Sequence, residues 1–162
     1  MKLKEGDVFT IPLNEEETGF GQVVAFPDKS SFIIAVFDYK QKLETDYDLE
    51  KICKSKIIFL GGTFDGKLYH KHWVIIGNYK NNLHSIIIPT YKIGTPPGEL
   101  FAVDYKGKKL RPITNEEFHM LDFQSYASPI RYENGLKAYY GFQDWNSEDF
   151  DPYLFKEYSF VL

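Results

Sequence analysis

The first 38 residues contain three short apolar runs joined by small polar connections, and this pattern constrains the fold more than any other feature. The runs read GDVFTIPL, GFGQVVAF and FIIAVFD, from Gly6 to Asp38. In the first run Phe9, Ile11 and Leu13 alternate with other residues, which places them on one face of a strand. The third run is apolar on both faces, as in a strand that is covered on both sides. The segment therefore predicts an antiparallel β-meander.

Further strand patterns follow in the middle of the chain. They are short apolar runs bounded by glycine, proline or polar residues, and they lie at 57–60, 73–76, 86–88, 100–105 and 108–113. We interpret Asp65-Gly66 and Lys106-Gly107 as hairpin turns. The chain is therefore expected to contain seven or eight strands, in a strongly twisted or barrel-like antiparallel sheet.

Helix signals appear only later in the chain, apart from a possible cap at Asp46 or Asp48 for a short helix ending at Cys53. Thr114 and Glu117 form a capping box that predicts a helix over 115–122. A second helix is predicted to start at Ser128-Pro129 and to end before Gly141. The fold class is therefore α+β, mainly β, with two short helices toward the C-terminus.

Bulk composition favours one globular domain in a reducing compartment. Of the 162 residues, 43% are hydrophobic and 17% aromatic, which is enough for a substantial core. The single cysteine, Cys53, excludes a disulfide framework within the chain. The start MKLKEGD lacks the apolar region of a signal peptide, and no apolar run approaches the roughly 20 residues of a membrane span. We expect a cytoplasmic protein with a single domain, 1–162, and no membrane partner.

Charge is distributed unevenly along the chain. The net charge is −4, but residues 67–113 carry a net +6 between acidic segments of −4 (1–66) and −6 (114–162). Lysines in the basic segment interleave with Tyr and Trp, a pattern seen where single-stranded nucleic acid binds. The negative charge elsewhere opposes polyanion binding, so nucleic acid is not the expected partner.

Three motifs have features of catalytic, nucleotide-binding or metal-binding sites. Gly61, Gly66 and Lys67 match the spacing of a phosphate-binding loop, but Leu68 replaces the Ser or Thr that such a loop needs for Mg²⁺. His70 and His72 would share one face of a strand, without an evident third metal ligand. Cys53 lies between lysines but lacks an evident base. We therefore predict no catalytic, cofactor-binding or metal-binding residues.

The acidic elements predict a protein-binding surface instead. Acidic clusters beside aromatic anchors suit the capture of a basic protein surface, because charge steers the encounter and rings contribute affinity. The residues predicted to contact a partner are Glu15, Glu16, Glu17, Asp144, Trp145, Glu148 and Asp149.

Several of these sequence blocks resemble one bacterial family. Gly6–Phe9, Ile11–Leu13, Gly19–Val23 and Ala35–Asp38 together are similar to the start of the Immunity protein 26 family, and Trp73–Asn78 resembles its W-x-I-I-G segment. A weaker likeness is the helix ending at Tyr140-Gly141. The resemblance is concentrated in the first half of the chain.

The resemblance implies a cytoplasmic immunity protein without enzymatic activity. Such proteins are encoded beside polymorphic toxins, often nucleases, and each binds its cognate toxin and blocks it. The family has no catalytic residues to carry over. Two alternatives stay open: a small-barrel endoribonuclease, whose opening also resembles G-D-V-F, and an RNA- or DNA-binding module that uses segment 67–113.

Overall fold

The structure, a computed structural model, describes residues 2–44 and 46–156. Its eight strands are β1 (Asp7–Pro12), β2 (Glu17–Ala25), β3 (Phe32–Lys42), β4 (Ile57–Thr63), β5 (Ile75–Asn78), β6 (Tyr91–Ile93), β7 (Phe101–Val103) and β8 (Lys109–Pro112). They form an open antiparallel sheet with the order β4-β3-β2-β1-β5 and a smaller sheet with the order β6-β7-β8. The α+β, mainly β class is confirmed, and the larger sheet does not close into a barrel.

Five short helices complete the described part of the chain. They are α1 (Leu49–Cys53), α2 (Gly66–Tyr69), α3 (Asn115–Met120), α4 (Pro129–Tyr139) and α5 (Ser147–Phe150), with 3-10 turns at Leu83–Ser85 and Asp151–Tyr153. The predicted capping box is present: the Thr114 hydroxyl accepts from the Glu117 amide, and the Glu117 carboxylate accepts from the Thr114 amide. Among the described residues, no helix has the length and apolarity needed to cross a bilayer.

The predicted meander forms the centre of the larger sheet, and its glycines lie where other groups approach the backbone. Phe9 faces Gly21 and Ile11 faces Gly19 across the β1–β2 pair. A β-carbon at Gly21 would lie 2.6 Å from the ring of Phe9. A β-carbon at Gly19 would overlap the side chain of Leu136 on α4. Glycine at these positions therefore lets the core pack against the sheet.

Two hydrophobic cores cover the two faces of this sheet. On one face, Phe9, Val36 and Phe59 pack with Tyr132 and Leu136 of α4. The opposite core consists of Val8, Phe20, Val24, Ala25, Ile33, Ala35, Phe37, Ile52 and Cys53. The sheet is thus covered on both sides, as predicted for β3.

Three local predictions from the sequence are wrong. Asp65-Gly66 does not make a hairpin, because β4 and β5 lie at opposite edges of the sheet. Gly66 instead begins α2, a helical turn that buries Leu68. The predicted strand at 86–88 is irregular chain that follows a 3-10 turn. The predicted strand at 73–76 starts later, at Ile75.

Candidate partner-binding surface

The predicted residues of the C-terminal acidic segment line one open groove. Helix α4 and the chain that continues into α5 border a cavity of about 900 Å³. Its lining includes Asp144, Trp145, Glu148 and Asp149. The other lining residues are Ser128, Ile130, Arg131, Asn134, Gln143, Asn146, Ser147 and Phe150. We refer to this cavity as the α4–α5 groove.

Trp145 is fixed on one side and exposed on the other. Its ring stacks on Phe59 with 6.1 Å between centroids and meets Phe150 edge-on at 5.1 Å. The indole Nε1 donates to a carboxylate oxygen of Asp151 at 2.9 Å. The side chain nevertheless remains 37% exposed. A partner would therefore meet a large aromatic surface whose orientation is already set, which lowers the entropy cost of binding.

Two of the three groove carboxylates lie on the capped first turn of α5, and none of the three is neutralised by a cation in the described chain. Asn146 caps α5 by accepting from the Asp149 amide at 3.2 Å, which places Glu148 and Asp149 in the first helical turn. Asp144 and Glu148 are exposed, and Asp149 is half-buried. Among residues 2–44 and 46–156, no Lys, Arg or His lies within ion-pair distance of these three carboxylates. Their charge is therefore available to a partner.

The predicted Glu15–Glu17 loop connects β1 and β2, and its members differ in their surroundings. The side-chain oxygen of Asn14 accepts from the amides of Glu16 and Glu17, both at 2.8 Å, and so shapes the turn. Glu17 pairs with Lys40 at 3.1 Å, and its pKa is lowered chiefly by that hydrogen bond and then by Asn14. Glu15 and Glu16 remain exposed. Glu17 is thus already paired with a cation, whereas Glu15 and Glu16 have no ion pair in the described chain.

Lys40 connects the Glu15–Glu17 loop to the chain that enters the groove. Its ammonium group lies 5.3 Å from the Tyr140 ring centroid and 5.6 Å from that of Phe142. Tyr140 donates to Asp38 at 2.9 Å, and burial together with this hydrogen bond raises the tyrosine pKa. Phe142 is two residues before Asp144. The two acidic elements, far apart in sequence, therefore lie on neighbouring parts of the surface.

The other motifs considered in the sequence do not assemble a site. Cys53 is 5% exposed, and burial raises its pKa to about 12, which keeps the thiol protonated at neutral pH. His70 and His72 follow α2 in a turn rather than a strand, with 6.3 Å between ring centroids. In the described ranges, no three His, Cys, Asp or Glu residues are grouped as a metal site would need.

Sequence reasoning missed a second, larger cavity of about 1110 Å³. It is lined by residues from three separated segments: Glu50, Cys53, Lys54, Ser55, Lys56, Ile57, Tyr79, Asn81, Asn82, Ser85, Ile86 and Phe155. No local motif could have indicated it, because only the fold brings these segments together.

Comparison with known proteins supports the family resemblance. The model of a family described as Immunity protein 26 matches residues 4–96, more than half of the chain. The match includes the opening block at Gly6–Phe9 and the block at Trp73–Asn78. The α4–α5 groove and Tyr140-Gly141 lie beyond it. No curated protein and no solved structure matches the chain.

Proposed function

This chain belongs to the Immunity protein 26 family, and we propose that it neutralises a nuclease-type toxin by covering the toxin's active site with the α4–α5 groove. Immunity proteins in general neutralise toxins and are not enzymes. The proposal adds the kind of toxin, the mode of inhibition and the contact surface. It places the protein in the bacterial cytoplasm, as part of a polymorphic toxin system.

One observation carries the proposal. The groove surrounds a half-exposed, fixed Trp145 with three carboxylates that have no cation partner in the described chain. A central aromatic anchor with a charged rim is the arrangement that gives protein interfaces their affinity and their partner choice. It is also an arrangement that a protein gains little from unless a partner covers it.

The sign of the charge favours a nuclease as the toxin. A nuclease must bind the phosphate backbone of its substrate and therefore presents a positive surface around its active site. Carboxylates at the α4–α5 groove are complementary to that surface and would take the place of phosphates. Complementary charge also accelerates association, which matters for an inhibitor that must act before damage occurs.

Glu15 and Glu16 extend the same negative surface across Lys40. Both are exposed, so each gains only a weak, salt-screened attraction. We assign them a steering role at the rim and assign the main affinity to the groove.

The experiment uses the toxin domain encoded beside this gene. Nuclease activity is measured with increasing amounts of the purified protein, and the dissociation constant is measured by calorimetry. The proposal expects stoichiometric inhibition, which added nucleic-acid substrate relieves by competition. Absence of binding contradicts the toxin assignment, whereas binding with unrelieved or no inhibition contradicts active-site occlusion alone.

A further inference from the structure

The hairpin formed by β7 and β8 carries three lysines that form no ion pair with the described residues. Lys106, Lys108 and Lys109 are all exposed. None has a carboxylate within ion-pair distance in the part of the chain that the structure describes. Within the same basic segment, Lys67 pairs with Glu133 and Arg111 with Glu117. Some cations of residues 67–113 are thus neutralised by ion pairs, whereas the three lysines at this turn are not.

Hydrogen bonds to the backbone define the turn that carries these lysines. The Asp104 amide donates to the Lys108 carbonyl at 3.0 Å, and Gly107 takes the turn with a φ of +81°. The Asp104 carboxylate accepts from the amides of Lys106 and Lys108, both at 2.9 Å. The one acidic residue of the turn is therefore directed at its backbone rather than at the ammonium groups.

Aromatic rings lie beside two of the cations. The Lys109 ammonium group is 4.4 Å from the ring centroid of Phe101, and that of Lys106 is 5.9 Å from Tyr105. Both aromatic residues are half-buried, so each keeps part of its surface in contact with solvent. Closely spaced cations beside partly exposed rings favour single-stranded nucleic acid, which offers phosphates to the cations and unstacked bases to the rings.

We propose that the β7–β8 hairpin binds single-stranded nucleic acid, with phosphates on Lys106, Lys108 and Lys109 and a base against Phe101. This inference does not depend on the proposed toxin neutralisation, since the hairpin contains none of the residues that we propose to contact the toxin. The hairpin is also opposite in charge to the α4–α5 groove. A basic toxin surface that suits the groove is therefore repelled by the hairpin, and charge complementarity points to a polyanion.

The test is the binding of a fluorescein-labelled, single-stranded RNA of about 12 nucleotides to the full-length protein, followed by fluorescence anisotropy. If three phosphates are neutralised, the logarithm of the affinity should fall with the logarithm of salt concentration with a slope of about −2. The variant K106Q/K108Q/K109Q should lose at least about tenfold in affinity and most of this slope.

The matched control is K2Q/K29Q/K80Q, which removes the same charge from exposed lysines elsewhere. It should retain wild-type affinity. No binding at low salt, or an equal loss in both triple variants, overturns the proposal. Displacement of the RNA by polyglutamate at an equal concentration of charges would instead identify a general anion-binding surface and overturn the nucleic-acid assignment.

Discussion

The five-stranded sheet and the α4–α5 groove use their side chains in opposite ways. Along β1 to β3, most residues are buried and their polar groups find partners within the protein. Around the groove, most residues are exposed and the carboxylates have no cation partner in the described chain. The family match includes the sheet but ends before the groove. The side chains of the sheet therefore serve mainly to pack the core, whereas those of the groove remain available to a partner.

Helix α4 joins these two regions because its opposite sides serve each of them. Toward the sheet, Leu136 fills the space above Gly19, and the Tyr132 hydroxyl donates to the Gly62 carbonyl at 2.7 Å. Toward the groove lie Ile130 and Arg131. Helical periodicity separates the two sets, since residues three or four apart share a face.

Glu133, a buried residue of α4, adds polar contacts that hold this helix in position. Its carboxylate accepts from the Trp73 indole at 3.1 Å and pairs with Lys137 at 3.4 Å and Lys67 at 3.7 Å. A buried carboxylate requires such partners, because leaving it unpaired would cost several kcal/mol. Helix α4 is therefore held in position by specific polar contacts as well as by packing.

The largest expected effect comes from breaking the attachment. Leu136→Ala removes a fully buried side chain and should lower the free energy of unfolding by about 2–5 kcal/mol. The matched control is Ile130→Ala on the same helix, where the side chain is 41% exposed and the expected loss is below about 1 kcal/mol. Urea denaturation measures both. Similar losses would contradict the division of α4 into a scaffold face and a surface face.

The next effect is on affinity rather than stability. The variant D144N/E148Q/D149N should weaken toxin binding about 10- to 100-fold, because it removes the charges facing the partner. E5Q/E44Q/E99Q, which neutralises three exposed carboxylates outside the groove, serves as the control and should bind within about twofold of wild type. Calorimetric titration with the toxin domain compares the two. Equal weakening would mean that overall charge, not the groove, attracts the toxin.

A smaller effect is expected at the Glu15–Glu17 loop. E15Q/E16Q should slow association a few-fold at low salt and leave dissociation unchanged, as expected of exposed rim charges. Stopped-flow mixing at two salt concentrations measures this. A faster dissociation rate would place these residues inside the interface and remove the distinction between rim and groove.

The smallest expected effect is on the pH dependence of stability, and it concerns the Arg111–Glu117 ion pair, which lies outside both the sheet and the groove. Hydrogen bonding to Arg111, followed by that to the Thr114 amide, lowers the pKa of Glu117 to about 2. Because the folded pKa lies below the ordinary glutamate value of 4.5, the pair contributes stability above that value and loses it as pH falls toward 2. In R111Q the melting temperature should therefore fall less between about pH 5 and pH 3 than in wild type. K106Q, which removes an unpaired lysine, should keep the wild-type pH dependence.

Sequence reasoning succeeded where the signal was local. Alternating apolar residues and flanking glycines predicted the meander correctly. The capping box was predictable because Thr114 and Glu117 lie within one helical turn of each other. It failed at Asp65-Gly66, because this dipeptide suits a tight turn and also the start of a helical turn. Burial of Leu68, a tertiary effect, decides between them.

The candidate site was predicted only as separate pieces. The sequence indicated the acidic residues and Trp145, but not that α4 would supply the other wall of their groove. Nor did it indicate that Lys40 would bring the Glu15–Glu17 loop next to Phe142. The contact of Lys40 with Phe142 joins segments about a hundred residues apart, and no local pattern indicates it.

Hydrogen exchange of the protein with and without its toxin shows whether the α4–α5 groove is the toxin-binding surface. We expect toxin binding to slow exchange of backbone amides at residues 142–150, with weaker protection around 15–17. Protection confined to residues 50–57 and 79–86, which line the larger cavity, would contradict it and move the toxin-binding surface to the opposite core's side of the sheet.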